Sequence, residues 1–152
     1  MPRTVKKSGS SHSNTYSEPN HKNAVNTLKE NTFQHFFFNL GDVLSDGSIV
    51  FHVDASGQHG LAVQPEDKTI EANWVDAIKL AKAHGRDWRL PTKYELNLLY
   101  EQKSIVDDYA DGKHWCSTED DINFAWSQSF YSGYQYESPK GFKFLLRAVR
   151  AF

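Results

Sequence analysis

At 152 residues, 14% of them aromatic, the chain is long enough for one domain with a sizeable core plus a tail. Its net charge of −2 is unevenly spread: residues 1–40 hold five basic and two acidic groups, so the remainder sums to −5. That balance argues against nucleic acid or any polyanion as the main partner, although a local basic patch can override net charge. A single cysteine, Cys116, excludes an intrachain disulfide, and no run approaches the roughly 20 apolar residues of a membrane-spanning helix.

Residues 1–20 are rich in Ser, Asn and Lys and have little to bury. Ala24, Val25 and Leu28 share one side of a short helix between His21 and Asn31, so residues 1–32 read as a disordered or weakly helical tail. The basic N-terminus has no apolar run behind it, and no conventional signal peptide is visible. Phe33, Phe36, Phe37, Phe38 and Leu40 need cover, either from the domain of residues 33–152 or from a second subunit.

The domain opens with a hairpin turned at Asp46-Gly47, between Val43-Leu44 and Ile49–Val53. A second turn, Ser56–Gly60, leads to a strand at Leu61–Val63. Glu71 to His84 reads as an amphipathic helix with Trp74, Ala77, Ile78 and Ala81 inward and Gly85 at its C-cap. Trp88-Arg89-Leu90 then runs into Pro91, which disfavours helix in the residue before it. Thr92 with Glu95 forms a capping-box pattern, followed by Leu96, Leu99 and Tyr100 at helical spacing as far as Lys103.

After a polar loop at 107–112, three strands are expected, at Trp115–Thr118, Phe124–Tyr131 and Phe142–Val149. Gly133 and Pro139-Lys140-Gly141 supply the turns between them. Strands, two helices and strands again define an α+β domain, with two helices and long loops set on a mainly antiparallel sheet.

Four ordered blocks carry a resemblance. They are Gly47–Asp54 with Gly57–Leu61, Trp88–Thr92 with Glu95-Leu96, Trp115–Glu119 with Ala125-Trp126, and Lys143 with Arg147–Arg150. Over Leu40 to Phe152 the chain resembles the C-terminal domain family of the Legionella collagen-like adhesin. That resemblance implies a C-type-lectin-like fold in its formylglycine-generating-enzyme variant. It also implies an adhesin-like, trimeric, extracellular or cell-surface module that binds sulfated glycosaminoglycans or a host or partner protein. The chain lacks the adhesin's collagen-like Gly-X-Y stalk, its domain is acidic, and Cys116 stands where serine is common in the family.

No catalytic residue and no cofactor are expected. Enzymes of the same fold need a cysteine pair or a histidine cluster. Here there is one cysteine, and His35, His52, His59, His84 and His114 are scattered. Cys116 reads as a buried, inert thiol, although His114 would share its strand face. Glu119, Asp120 and Asp121 with Asn123 offer clustered oxygens of the kind calcium takes; a solvated acidic turn is the preferred reading. Glu18-Pro19-Asn20 matches a lectin calcium motif by letter only and is set aside.

For ligand binding, Tyr131, Tyr134 and Tyr136 are the surface candidates, because alternation from Trp126 through Gln128 to Phe130 sends that set inward. Aromatic faces beside amides and hydroxyls suit carbohydrate. Lys143 and Arg147 fall on one face of an expected strand, where they either bind a sulfate or carboxylate together or pair with a helix acid. Two functions follow: a glycan-binding, adhesin-like module, or a protein–protein assembly module such as a phage-fibre tip or secreted effector.

Overall fold

A computed structural model of the chain describes residues 6–7, 36–65, 70–106 and 111–152. The expected helix at 21–31, Phe33 and most of the polar loop at 107–112 lie outside the described residues. A two-residue strand β1 (Lys6–Lys7) pairs antiparallel with β2 (Phe36–Phe37). From there β3 (Ile49–Val53), β4 (Gly60–Val63) and β5 (Glu71–Ala72) lead into helices α1 (Trp74–Lys82) and α2 (Lys93–Glu101). The chain closes with β6 (Lys113–Glu119), β7 (Phe124–Ser129), β8 (Gln135–Pro139), β9 (Phe144–Leu145) and β10 (Val149–Ala151).

The strands form a three-stranded sheet ordered β10-β4-β3 and a five-stranded sheet ordered β5-β9-β6-β7-β8. Every pairing is antiparallel except that of β6 with β9. The molecule is therefore α+β with its sheets mainly antiparallel, as expected.

Strand β6 is buried on both faces, and its alternation divides the core. Trp115 joins Ala77 and Ala81 of α1 with Leu90, Ala125 and Leu146, whereas Cys116 joins Leu96 and Leu99 of α2 with Phe51, Val63 and Phe130. Two tryptophans of this region use their indole N–H groups as ties. Trp115 Nε1 donates to the Ala72 carbonyl at 2.9 Å, and Trp74 Nε1 to the Cys116 carbonyl at 2.8 Å.

The corner before α2 forms as its sequence dictates. Thr92 Oγ1 accepts from the Glu95 amide at 3.2 Å, and Glu95 Oε1 accepts from the Thr92 amide at 2.9 Å. Glu95 also takes both arms of Arg89, at 2.6 and 2.9 Å. Burial alone would raise the Glu95 pKa, but the Arg89 hydrogen bonds and the cap hold it below the usual carboxylate range. The Arg89 backbone bridges Val149 and so hangs the corner on the three-stranded sheet.

Three boundaries differ from expectation. The first helix starts at Trp74 because Asn73 caps it, its Oδ1 accepting from the Asp76 amide at 2.9 Å; Glu71-Ala72 instead pair with β9. Strand β8 appears where a turn region was expected. The expected strand Phe142–Val149 is two short strands belonging to different sheets, with Leu146–Ala148 crossing between them.

Phe38 docks within the chain, edge-on to Phe152 at 4.7 Å, while its amide donates to the Gly57 carbonyl at 2.8 Å. At Gly60 any Cβ would overlap the His52 carbonyl oxygen, so only glycine fits the close β3–β4 approach.

Asp46 in the first turn accepts from Arg150 Nε at 2.9 Å, across 104 residues of sequence. Burial pushes its carboxyl up, but bonds from Arg150 and Ser48 outweigh that and lower its pKa to about 2. Because the folded value lies below the unfolded value of about 3.9, this contribution is fully present above about pH 4. It is lost as pH falls toward 2. With the Asp46 side chain 40% exposed, screening leaves on the order of 1 kcal/mol. Asp46→Asn is expected to remove that part of the acid dependence when urea unfolding is compared at neutral pH and near pH 3. An unchanged acid slope would refute it.

Candidate ligand-binding surface

The five-stranded sheet leaves part of its α1-side face uncovered, toward β8, and the exposed residues there form a connected row. Phe142, 54% exposed, meets Phe144 edge-on at 6.0 Å, and Phe144 in turn rests against buried Trp115 at 4.7 Å. Lys113 Nζ lies 5.4 Å from the Phe144 ring and 4.2 Å from the Tyr136 ring. Tyr136 then meets Tyr134, 69% exposed, at 6.5 Å.

Register explains the row. Lys113 faces Ser129 across the β6–β7 ladder, and Tyr136 faces Ser127 across β7–β8. Small serines on β7 thus leave the space that lets the flanking lysine and tyrosine meet. Lys113 forms no salt bridge among the described residues, so its charge is available to a ligand.

Of the tyrosine candidates, Tyr134 and Tyr136 belong to the row. Tyr131 is 80% exposed on the β7–β8 turn and makes no ring contact among the described residues. Lys143 is exposed beside Phe142 and opens onto a shallow cavity of about 400 Å³ that also holds Glu71, Asp76 and Lys79.

Arg147 does not share a solvent face with Lys143. It is 1% exposed, and Nη2 donates to the Gln64 carbonyl at 2.9 Å. The reason is the crossover: alternation counts only along a continuous strand, and the chain leaves β9 after Leu145. Phe142 was not among the sequence candidates. An apolar residue flanking the strand tyrosines was the available signal, but it needed the strand order to be read.

The remaining candidates are committed locally. Glu119 Oε2 accepts from Lys140 Nζ at 2.5 Å, and Asp121 Oδ1 accepts from the Asn123 and Phe124 amides at 2.7 and 2.8 Å. Asp120 is exposed in the same turn, and no group of three or more metal-ligating side chains converges among the described residues. Cys116 is buried, its thiol pKa pushed up by desolvation, and Sγ donates to the Trp126 carbonyl at 3.1 Å. His114 is also buried, with Nδ1 3.1 Å from the Gly112 carbonyl.

The fold and this surface define an α+β module with an exposed aromatic and cationic face. The chain belongs to the Lcl C-terminal domain family, whose model matches residues 52–150, well over half of its length. Membership makes it an adhesin-associated module. No curated protein matches the chain.

Proposed function

We propose that the chain is a non-enzymatic, adhesin-like module of the cell surface or extracellular space that binds glycans, sulfated ones included, through the row from Phe142 to Tyr134. The observation that carries this reading is a contiguous row of exposed and half-buried rings around Lys113, which forms no salt bridge among the described residues. Rings suit the CH faces of sugars, and the Lys113 ammonium suits their sulfates or carboxylates. Arg147 takes no part, being inside. Family resemblance adds a homotrimer to the proposal, with no cofactor and no metal.

A glycan array that includes heparin and other sulfated polysaccharides tests it. Lys113→Ala/Tyr136→Ala is expected to weaken binding at least ~10-fold with stability changed by no more than about 0.5 kcal/mol, since both side chains are on the surface. A wild-type chain that binds no glycan, or a variant that binds as tightly, sinks the reading. A second reading, protein–protein assembly, is favoured by β8, which lies at the edge of its sheet and is paired on one side only among the described residues. Concentration-independent light scattering at monomer mass would remove that alternative and the trimer together.

A further inference from the structure

On the opposite face of the β7–β8 ribbon, a groove of about 450 Å³ runs between β8 and the start of α2. Its lining is Thr92, Lys93, Tyr94, Asn97, Thr118 and Gln135, within the size range of small-ligand sites. We infer that this groove is a separate binding site for an N-acetylhexosamine residue of a neutral glycan. It stands apart from the aromatic row and does not depend on it.

The inference rests on a chain of three amides that leaves one acceptor and one donor facing the groove. Buried Gln128 donates through Nε2 to Asn97 Oδ1 at 2.9 Å and to the Gly133 carbonyl at 3.0 Å. Gln135 Nε2 donates to Gln128 Oε1 at 3.3 Å and to the Lys93 carbonyl at 2.9 Å. Both N–H groups of Gln135 are therefore used inward, and its Oε1 has no donor among the described residues. Asn97 Nδ2 spends one N–H on Glu101 Oε1 at 3.1 Å and keeps the other.

An acetamido group presents the complementary pair, an N–H for Gln135 Oε1 and a carbonyl for the Asn97 N–H. Gln128 fixes both amides, so little side-chain freedom is lost when they bind. Tyr94, 70% exposed beside Asn97 in the groove wall, offers a ring for the sugar's CH face. Lys93 holds its Nζ 3.5 Å from the Trp126 ring centroid, so its charge is held against that indole and the groove favours a neutral sugar over a sulfated one.

Calorimetric titration of the full chain with chitotriose and with cellotriose tests this, because the two differ in the acetamido group. Chitotriose is expected to bind at least ~10-fold more tightly than cellotriose. Tyr94→Ala and Asn97→Asp should each weaken it by a similar factor, the latter removing the donor while keeping the acceptor for Gln128. Lys113→Ala/Tyr136→Ala should leave chitotriose binding unchanged, and Tyr94→Ala should leave any heparin binding unchanged. Equal binding of the two trisaccharides, no binding of chitotriose at millimolar concentration, or full binding by Tyr94→Ala would each overturn the groove assignment. Loss of heparin binding alone would count against the aromatic row and not against the groove.

Discussion

Trp115→Ala is expected to cost about 3–5 kcal/mol of folding stability, the range for truncating a large buried aromatic. Trp115 is fully buried, and much of its surroundings is alanine: Ala72, Ala77, Ala81, Ala125 and Ala148. Small side chains cannot swing into the vacated volume, so the cavity persists and the upper part of the range applies. The substitution also strips the Ala72 carbonyl of its 2.9 Å donor, which loosens β5 at the head of α1. Trp115→Phe should recover more than half of the loss, since it refills volume without restoring the bond. Urea unfolding of the three proteins decides the matter. A loss below about 1 kcal/mol for the alanine variant would mean that the α1 side is not a cooperative part of the core. Function is coupled to this site as well, because Phe144 of the aromatic row packs on the Trp115 ring.

What could be read directly from residues was local. The capping box at Thr92 and Glu95 and the turn at Asp46-Gly47 are fixed by side chains within a few positions of one another, so their chemistry is complete in a short window. The even-numbered residues of β7 were expected inward. Gln128 and Phe130 are buried, but so is Ser127, which lies across the ladder from buried Trp115, so alternation does not separate inside from outside here. Ser127 is accommodated by a hydroxyl contact of 2.8 Å with Ser138, eleven positions away.

Strand β8 left little trace. Gln135-Tyr136-Glu137-Ser138 has no apolar alternation and ends at a proline, and only its register with β7 makes it a strand. The exposure of Tyr134 and Tyr136 was legible from alternation, but not the link from Tyr136 to Phe144 through Lys113, which comes from a different hairpin arm. The amide groove was equally hidden: Gln135 reaches the Lys93 carbonyl across 42 positions. Sites assembled from several strands require strand order, and strand order is a tertiary fact.

Arg147→Ala is expected to destabilise the fold by about 2–4 kcal/mol, whereas Lys143→Ala should change it by no more than about 0.5 kcal/mol. The two residues were expected to act as a pair on one surface. The structure instead puts Lys143 outside and Arg147 at the crossing between sheets, where Gln64 gathers the chain. Gln64 accepts from Arg147 Nη2 through its carbonyl, accepts from the Ala148 amide at 2.5 Å through Oε1, and donates its own amide to the Ala148 carbonyl. Truncating Arg147 removes a long buried side chain and one donor of this clamp, so the cost combines lost packing with a lost buried hydrogen bond. Arg147→Lys keeps the charge but not the planar fork, and is expected to fall between wild type and alanine. Equilibrium denaturation of the single variants separates the roles before any binding is measured. An Arg147→Ala protein as stable as wild type would return Arg147 to the list of ligand candidates. A destabilised one means that lost glycan binding in a Lys143→Ala/Arg147→Ala double variant reports unfolding, and only Lys143 and Lys113 remain as cations whose removal reads binding alone.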